Sequence, residues 1–174
     1  MKFELVILDN LSGGRTTLLS PILEGHELTL FEHFVAANKK NFAREVINLE
    51  LRLEVVGKET GLMEEFFKTG AGRLGQNICT FKDRPRSLLR LYFIEFGNFA
   101  IILGGGGPKP KSIQTSQEVP VLANALNILG LIADTLRMAE KKGHFGFDED
   151  GNMFSTTDYI YDSEDYVQPP KNNK

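Results

Sequence analysis

Cationic side chains crowd into one stretch of this chain. Residues 68–111 carry Lys68, Arg73, Lys82, Arg84, Arg86, Arg90, Lys109 and Lys111 against Asp83 and Glu95, a local net charge of +6. Guanidinium and ammonium groups at that density suit phosphate oxygens, because each is a permanent donor to an anionic acceptor. Within the stretch, the run RLYFIEFGNFAIILGGGGPKPK from Arg90 to Lys111 reads as two apolar strands joined by a tight turn at Gly97 and Asn98. Arg90 opens the pair, and Lys109 and Lys111 follow it, so cations gather where the strands end. The competing reading is a solvated charged face without a ligand.

Other signals of chemistry are weaker. The glycines Gly104 to Gly107 suit either a nest of N–H groups for a phosphate or a flexible hinge or bulge between strand and helix. A P-loop would need Gly-Lys-Ser/Thr at a helix start, and Pro108 intervenes. His26, His33 and His144 lie far apart in sequence, without metal-ligand spacing. The segment from Asp148 to Asn152 resembles a calcium loop, but its glycine comes too early and no glutamate follows at the required distance, which favours a polar turn. Cys79 lies in a strand-like run and reads as a buried structural thiol. No metal and no cofactor is expected.

These residues need elements to hold them. A length of 174 residues suffices for one substantial core, and 41% hydrophobic with 25% charged residues is ordinary for a globular chain. The net charge of −3 is uneven, because residues 148–174 alone contribute −5. The expected organisation is a domain over 1–147 and an acidic, tyrosine-bearing tail over 148–174, flexible by composition. A lone cysteine fits a reducing compartment, and Lys2 and Glu4 interrupt any leading apolar run. The apolar run from Val121 to Leu136 reads as too short for a membrane span and carries Asn124, Asn127 and Asp134. A cytoplasmic protein without membrane contact is the expectation.

Periodicity predicts a strand over Phe3–Leu8 and an irregular connection over 10–26, broken by Gly13, Gly14 and Pro21. Helices are predicted over 28–39 and 42–56, the second ended by Gly57. Strands follow at 77–81, 88–96 and 99–103, then a strongly apolar helix from about Pro120 to Lys142, stopped by Gly143. That order argues for an α+β fold: a small antiparallel β-sheet packed against an N-terminal helical pair and a long C-terminal helix. The apolar surface of that last helix suggests a homodimer or another partner.

The segments Arg90-Leu91-Tyr92-Phe93, Phe99 to Leu103, Lys109 and Lys111, and Glu118-Val119 leading into an alanine-bearing helix resemble the RelE/ParE superfamily of toxins, nearest its HigB-like branch. The resemblance covers about residues 28–142 and is a pattern of strands and charges. It implies the toxin of a type II toxin–antitoxin system, an endonuclease that cuts mRNA on the ribosome and is held inactive by an antitoxin protein. Arg90 would contact the phosphate, with Lys109 and Lys111 clamping it as catalytic residues. Lys82, Arg84 and Arg86 would bind flanking RNA, and Arg73 extends that basic set. Some relatives carry a catalytic tyrosine at the start of the last helix, where this chain has Pro120. The proton carrier would then be another group, such as His144 or Tyr92, or the chain would bind RNA or a protein partner without cutting.

Overall fold

The computed structural model describes residues 1–81, 86–97, 99–115 and 118–167. Strand β1 (Lys2–Ile7) pairs antiparallel with β2 (Thr17–Leu23), which leads into helices α1 (Leu30–Asn38) and α2 (Ala43–Val55). A π turn (Val56–Thr60) and a 3-10 turn (Glu64–Phe66) precede β3 (Phe67–Lys68), β4 (Ile78–Phe81), β5 (Leu89–Phe96) and β6 (Ala100–Pro108). Helix α3 (Pro120–Lys141) is followed by β7 (Phe145–Phe147), β8 (Met153–Ser155), β9 (Ile160–Asp162) and the short α4 (Ser163–Tyr166). The fold is α+β with a long C-terminal helix.

Its sheet is larger than the sequence suggested, and mixed. Seven strands run in the order β3-β4-β5-β6-β2-β1-β9, and β2 lies parallel to β6; β7 and β8 form a separate hairpin. The sheet is packed on both faces. Leu89, Leu91, Phe93, Ile101 and Leu103 meet Phe31, Phe34, Val46, Leu49 and Leu53 of α1 and α2. Tyr92, Ile94, Ala100 and Ile102 meet Leu122, Leu129, Ile132, Leu136 and Ala139 of α3. Burial on both faces explains why β5 and β6 read as continuous apolar runs without polar alternation.

Local chemistry sets the helix ends. Thr29 caps α1 through a capping box: its hydroxyl accepts from Glu32 N at 3.1 Å, and the Glu32 carboxylate accepts from Thr29 N at 2.8 Å. Pro120 begins α3, where its missing N–H is not needed. At 22 residues, α3 matches the helix expected from about Pro120 to Lys142, and by length and composition alone it could cross a membrane, although the apolar run from Val121 to Leu136 reads as too short. Here its apolar stripe instead covers the sheet.

Three segments depart from the sequence reading. The connection expected over 10–26 contains β2, whose Pro21 pairs with Leu5 of β1. Proline offers no N–H, and the β2–β6 ladder stops at Leu19 opposite Ile102. Buried Ser20 bridges the gap, its hydroxyl donating to Leu103 O at 2.8 Å and accepting from Phe31 N at 3.0 Å.

The run Gly104–Gly107 is no hinge, because it continues β6 opposite Arg90 and Leu91. A Cβ on Gly106 would stand 1.9 Å from the Arg90 carbonyl oxygen, and one on Gly104 would stand 2.9 Å from Leu129. Glycine there permits close approach of β5 on one side and α3 on the other.

The acidic segment after residue 148 is structured through residue 167. Asp148 accepts from the backbone N–H of Asp150 and Asn152 and forms the polar turn of the β7–β8 hairpin. Strand β9 joins the main sheet beside β1, with Tyr161 buried against Phe3 at 5.7 Å between ring centroids. Asp162 accepts from the N-terminal ammonium at 3.2 Å. Average composition hides the few aromatic residues that dock this segment.

Candidate functional site

The start of β5 and the end of β6 form one end of the sheet. Arg90 stands opposite Gly107, and Lys109 N donates to Leu88 O at 2.8 Å, so both cationic residues belong to the last rungs of one ladder. The guanidinium of half-buried Arg90 is oriented by its own chain: Nη1 donates to Ser87 O at 2.9 Å and to Leu89 O at 2.8 Å. Nη2 and Nε make no contact among the described residues and retain three N–H donors, the planar fork that takes two phosphate oxygens together. Lys109 Nζ donates to Gln114 O at 2.6 Å, which ties the following loop back to the sheet.

Helix α2 fixes this end from the side. The Glu45 carboxylate accepts from Leu88 N at 3.0 Å and from Leu89 N at 2.8 Å, two amides at the start of β5. Ser87 is 8% exposed, and its hydroxyl has no hydrogen-bond partner among the described residues. A buried hydroxyl without a partner beside an oriented guanidinium is costly to maintain, by about 1–3 kcal/mol.

The expected site residues divide accordingly. Arg90, Lys109 and exposed Arg86 lie at this sheet end, and Lys111 follows on an exposed turn. Lys82 and Arg84 lie outside the described residues. Arg73 does not join them. It sits on the loop before β4, and Ile78 of β4 pairs with Ile94, four residues along β5 from Arg90 and about 13 Å away at strand rise.

Of the two proposed proton carriers, His144 stands away from the Arg90 end, and Tyr92, two residues along β5 from Arg90, is buried. His144 follows the far end of α3, about 33 Å from its start by helical rise, and its Nδ1 contacts Tyr166 Oη at 2.9 Å. Tyr92 is in the sheet, 1% exposed, beside the bulge between Leu91 and Phe93. His26 and His33, distant in sequence, meet edge to face at 5.4 Å. Among the described residues no three His, Cys, Asp or Glu side chains are grouped to hold a metal.

Sequence reasoning missed Glu45, Ser87 and Gln114. Glu45 falls in the first turn of a predicted helix, where a carboxylate is expected for the dipole alone. That it also holds two strand amides follows only from the packing of α2 against β5.

The loop 69–77 lies toward the opposite end of the sheet, and between it and α3, from Ala123 to Asp134, runs a cleft of about 680 Å³. Gln76, 7% exposed, pins the loop to the helix. Its Nε2 donates to Gly130 O at 3.2 Å and to Asp134 Oδ2 at 3.0 Å, while its Oε1 accepts from Arg73 N at 2.9 Å. Cys79 lies just inside, where burial first and the charge of Glu95 second push its thiol up to about 12. Such a thiol is inert at neutral pH.

No protein-family model matches this chain, and neither a curated protein nor a solved structure is detectably similar to it. The functional reading therefore rests on the geometry of the two sheet ends.

Proposed function

We propose that this chain is a RelE-like RNA-binding protein of the cytoplasm that holds backbone phosphate at the Arg90–Lys109 end of its sheet. One observation carries the reading: Arg90 is oriented through Nη1 by two carbonyls, and among the described residues its Nη2–Nε edge makes no hydrogen bond. A guanidinium held in place loses little entropy on binding an anion, so the site is preorganised for phosphate. Arg86, Lys109 and Lys111 add charge around it. Binding without cutting is favoured because His144 stands away from this end, Tyr92 is buried within the sheet and Pro120 takes the place of the family tyrosine.

The toxin reading, an mRNA endonuclease restrained by an antitoxin, is favoured by a second observation. After β1 and β2, two helices lead into four strands, β3 to β6, paired antiparallel in sequence order, and the basic end falls where β5 starts and β6 finishes. Ile47 and Leu51, exposed one turn apart on α2, offer a protein partner an apolar foothold.

Induction of the full chain in a bacterial host separates the two. Growth arrest relieved by Arg90→Ala supports the toxin. Harmless expression, together with salt-steep RNA binding by the purified protein and intact RNA afterwards, supports the binding protein. RNA affinity unchanged by Arg90→Ala overturns both.

A further inference from the structure

The cleft between the loop 69–77 and α3 has a chemistry of its own. One side is a stripe on α3, Ala123, Asn127, Gly130 and Asp134, which helical spacing places on a single face. The other side is the loop carrying Gly72 and Arg73, whose chain reverses at Gly70 and Gly75 with φ of +78° and +84°. Gly72 and Gly130 both back onto the Gln76 side chain, so the free space lies beside Ala123, Asn127 and Arg73, and its volume is in the range of small-molecule sites.

The polar groups of the cleft are specific. Asp134 Oδ2 accepts one bond from Gln76, and Oδ1 accepts a long one from Arg137 Nη2 at 3.4 Å. Each oxygen keeps a second lone pair, so the carboxylate can take two parallel N–H donors from a ligand. The Asn127 amide and the Arg73 guanidinium, which makes no side-chain contact among the described residues, supply donors for ligand acceptors. Arg137 reaches beneath the loop, 3.8 Å from where a Gly75 Cβ would be. Of the lining residues only Arg73 and Asp134 are charged, with Arg137 paired to Asp134 from outside the lining, so Arg73 is the cation the cleft offers a phosphate.

From this arrangement we infer that the cleft binds a guanine nucleotide, with the base between the loop and α3 and the phosphate toward Arg73. Guanine presents N1–H and N2–H side by side to a carboxylate, and O6 and N7 as neighbouring acceptors to amide or guanidinium donors. Adenine offers a ring acceptor where guanine has N1–H, so its N1 would face Asp134 lone pair to lone pair. Cytosine lacks the paired donors altogether. The site is separate from the Arg90 end and does not depend on the reading given to that end.

The full-length protein is titrated by calorimetry with GMP, AMP, CMP, inorganic phosphate and a single-stranded RNA hexamer holding one guanosine. GMP is expected to bind at least about tenfold more tightly than AMP or CMP, the discrimination of a site built to hydrogen-bond its ligand. Asp134→Asn is expected to remove that preference, and Arg73→Ala to weaken GMP about fivefold. Because Asp134 also anchors Gln76, the exposed Asn127→Leu provides a second variant that leaves the loop pin intact, and it should weaken GMP as well. Measured in the Arg90→Ala background, hexamer binding that is tighter than that of GMP and lost in Asp134→Asn assigns the site to guanosine in RNA, and the reverse order assigns it to the free nucleotide. The inference is overturned by no heat from GMP at millimolar concentration, by equal affinity for AMP, by full competition from inorganic phosphate, or by GMP affinity unchanged in both Asp134→Asn and Asn127→Leu.

Discussion

The two ends of the β4–β5–β6 sheet are held by different means. At the Arg90 end the fixing groups are backbone: strand rungs, two carbonyls on one guanidinium, and two amides on Glu45. At the other end a single side chain, Gln76, makes three hydrogen bonds that tie a glycine-bearing loop to α3. The first arrangement presents a cationic edge fixed by backbone hydrogen bonds. The second leaves a cleft under a loop that turns on glycines. A polyanion backbone needs the former, because it offers repeated charge and no buried part. A small flat ligand needs the latter.

Substitutions can break this contrast, starting with the most severe. Gly106→Ala drives a Cβ to 1.9 Å from the Arg90 carbonyl, where only backbone movement relieves the clash. It should cost about 3 kcal/mol in urea unfolding, as overpacking does. Gly72→Ala at the loop, where the nearest atom is the flexible Ile78 Cδ1 at 2.7 Å, should cost clearly less. Equal costs would remove the claim that the first end is the one fixed by its backbone.

Gln76→Ala comes next. It deletes the loop pin and should cost about 2 kcal/mol, with hydrogen exchange accelerated over 69–77 and unchanged in β5. Protection lost evenly across the sheet would show that the loop is not a separate unit. Glu45→Ala should cost about 1 kcal/mol and loosen the amides of Leu88 and Leu89, with a fall in RNA affinity alongside. Glu45→Gln keeps one acceptor and should retain more of both.

Arg90→Ala should cost about 1 kcal/mol, from the two carbonyls it leaves, and flatten the slope of log affinity against log salt by about 1. An unaltered slope would remove Arg90 from phosphate contact. The smallest effect is in alkali. Cys79 has its folded pKa raised from 9.0 to about 12, so between those values the unfolded thiol ionises while the folded one stays protonated. Stability should therefore be unaffected at neutral pH and decline as pH rises through 9 toward 12. Cys79→Ser, which keeps the size but removes that ionisation, should flatten the alkaline limb of a pH titration.

Much of the fold was legible because it is written in local periodicity. Phe42, Val46, Leu49 and Leu53 recur at helical spacing, and Leu89 to Phe96 and Ala100 to Leu103 are apolar runs flanking a Gly-Asn turn. Segments whose structure depends on a distant partner were not legible. Thr17–Leu23 contains proline and reads as a breaker, yet it is a strand because β1 lies on one side and β6 on the other. Ile160–Asp162 sits in acidic sequence, yet it is a strand because Tyr161 packs on Phe3.

The sequence by itself determined the density of cations between 68 and 111 and the placement of Arg90 and Lys109 at strand ends, since charge and strand pattern need no tertiary information. Only the tertiary structure decided which cations share a place. It set Arg73 at the opposite end of the sheet, brought Glu45 to the Leu88 and Leu89 amides, and turned four glycines from a hinge into a strand. The physical reason is that glycine has no side chain to report its surroundings. Its role is fixed by how closely β5 and α3 approach it, and that distance is a property of packing.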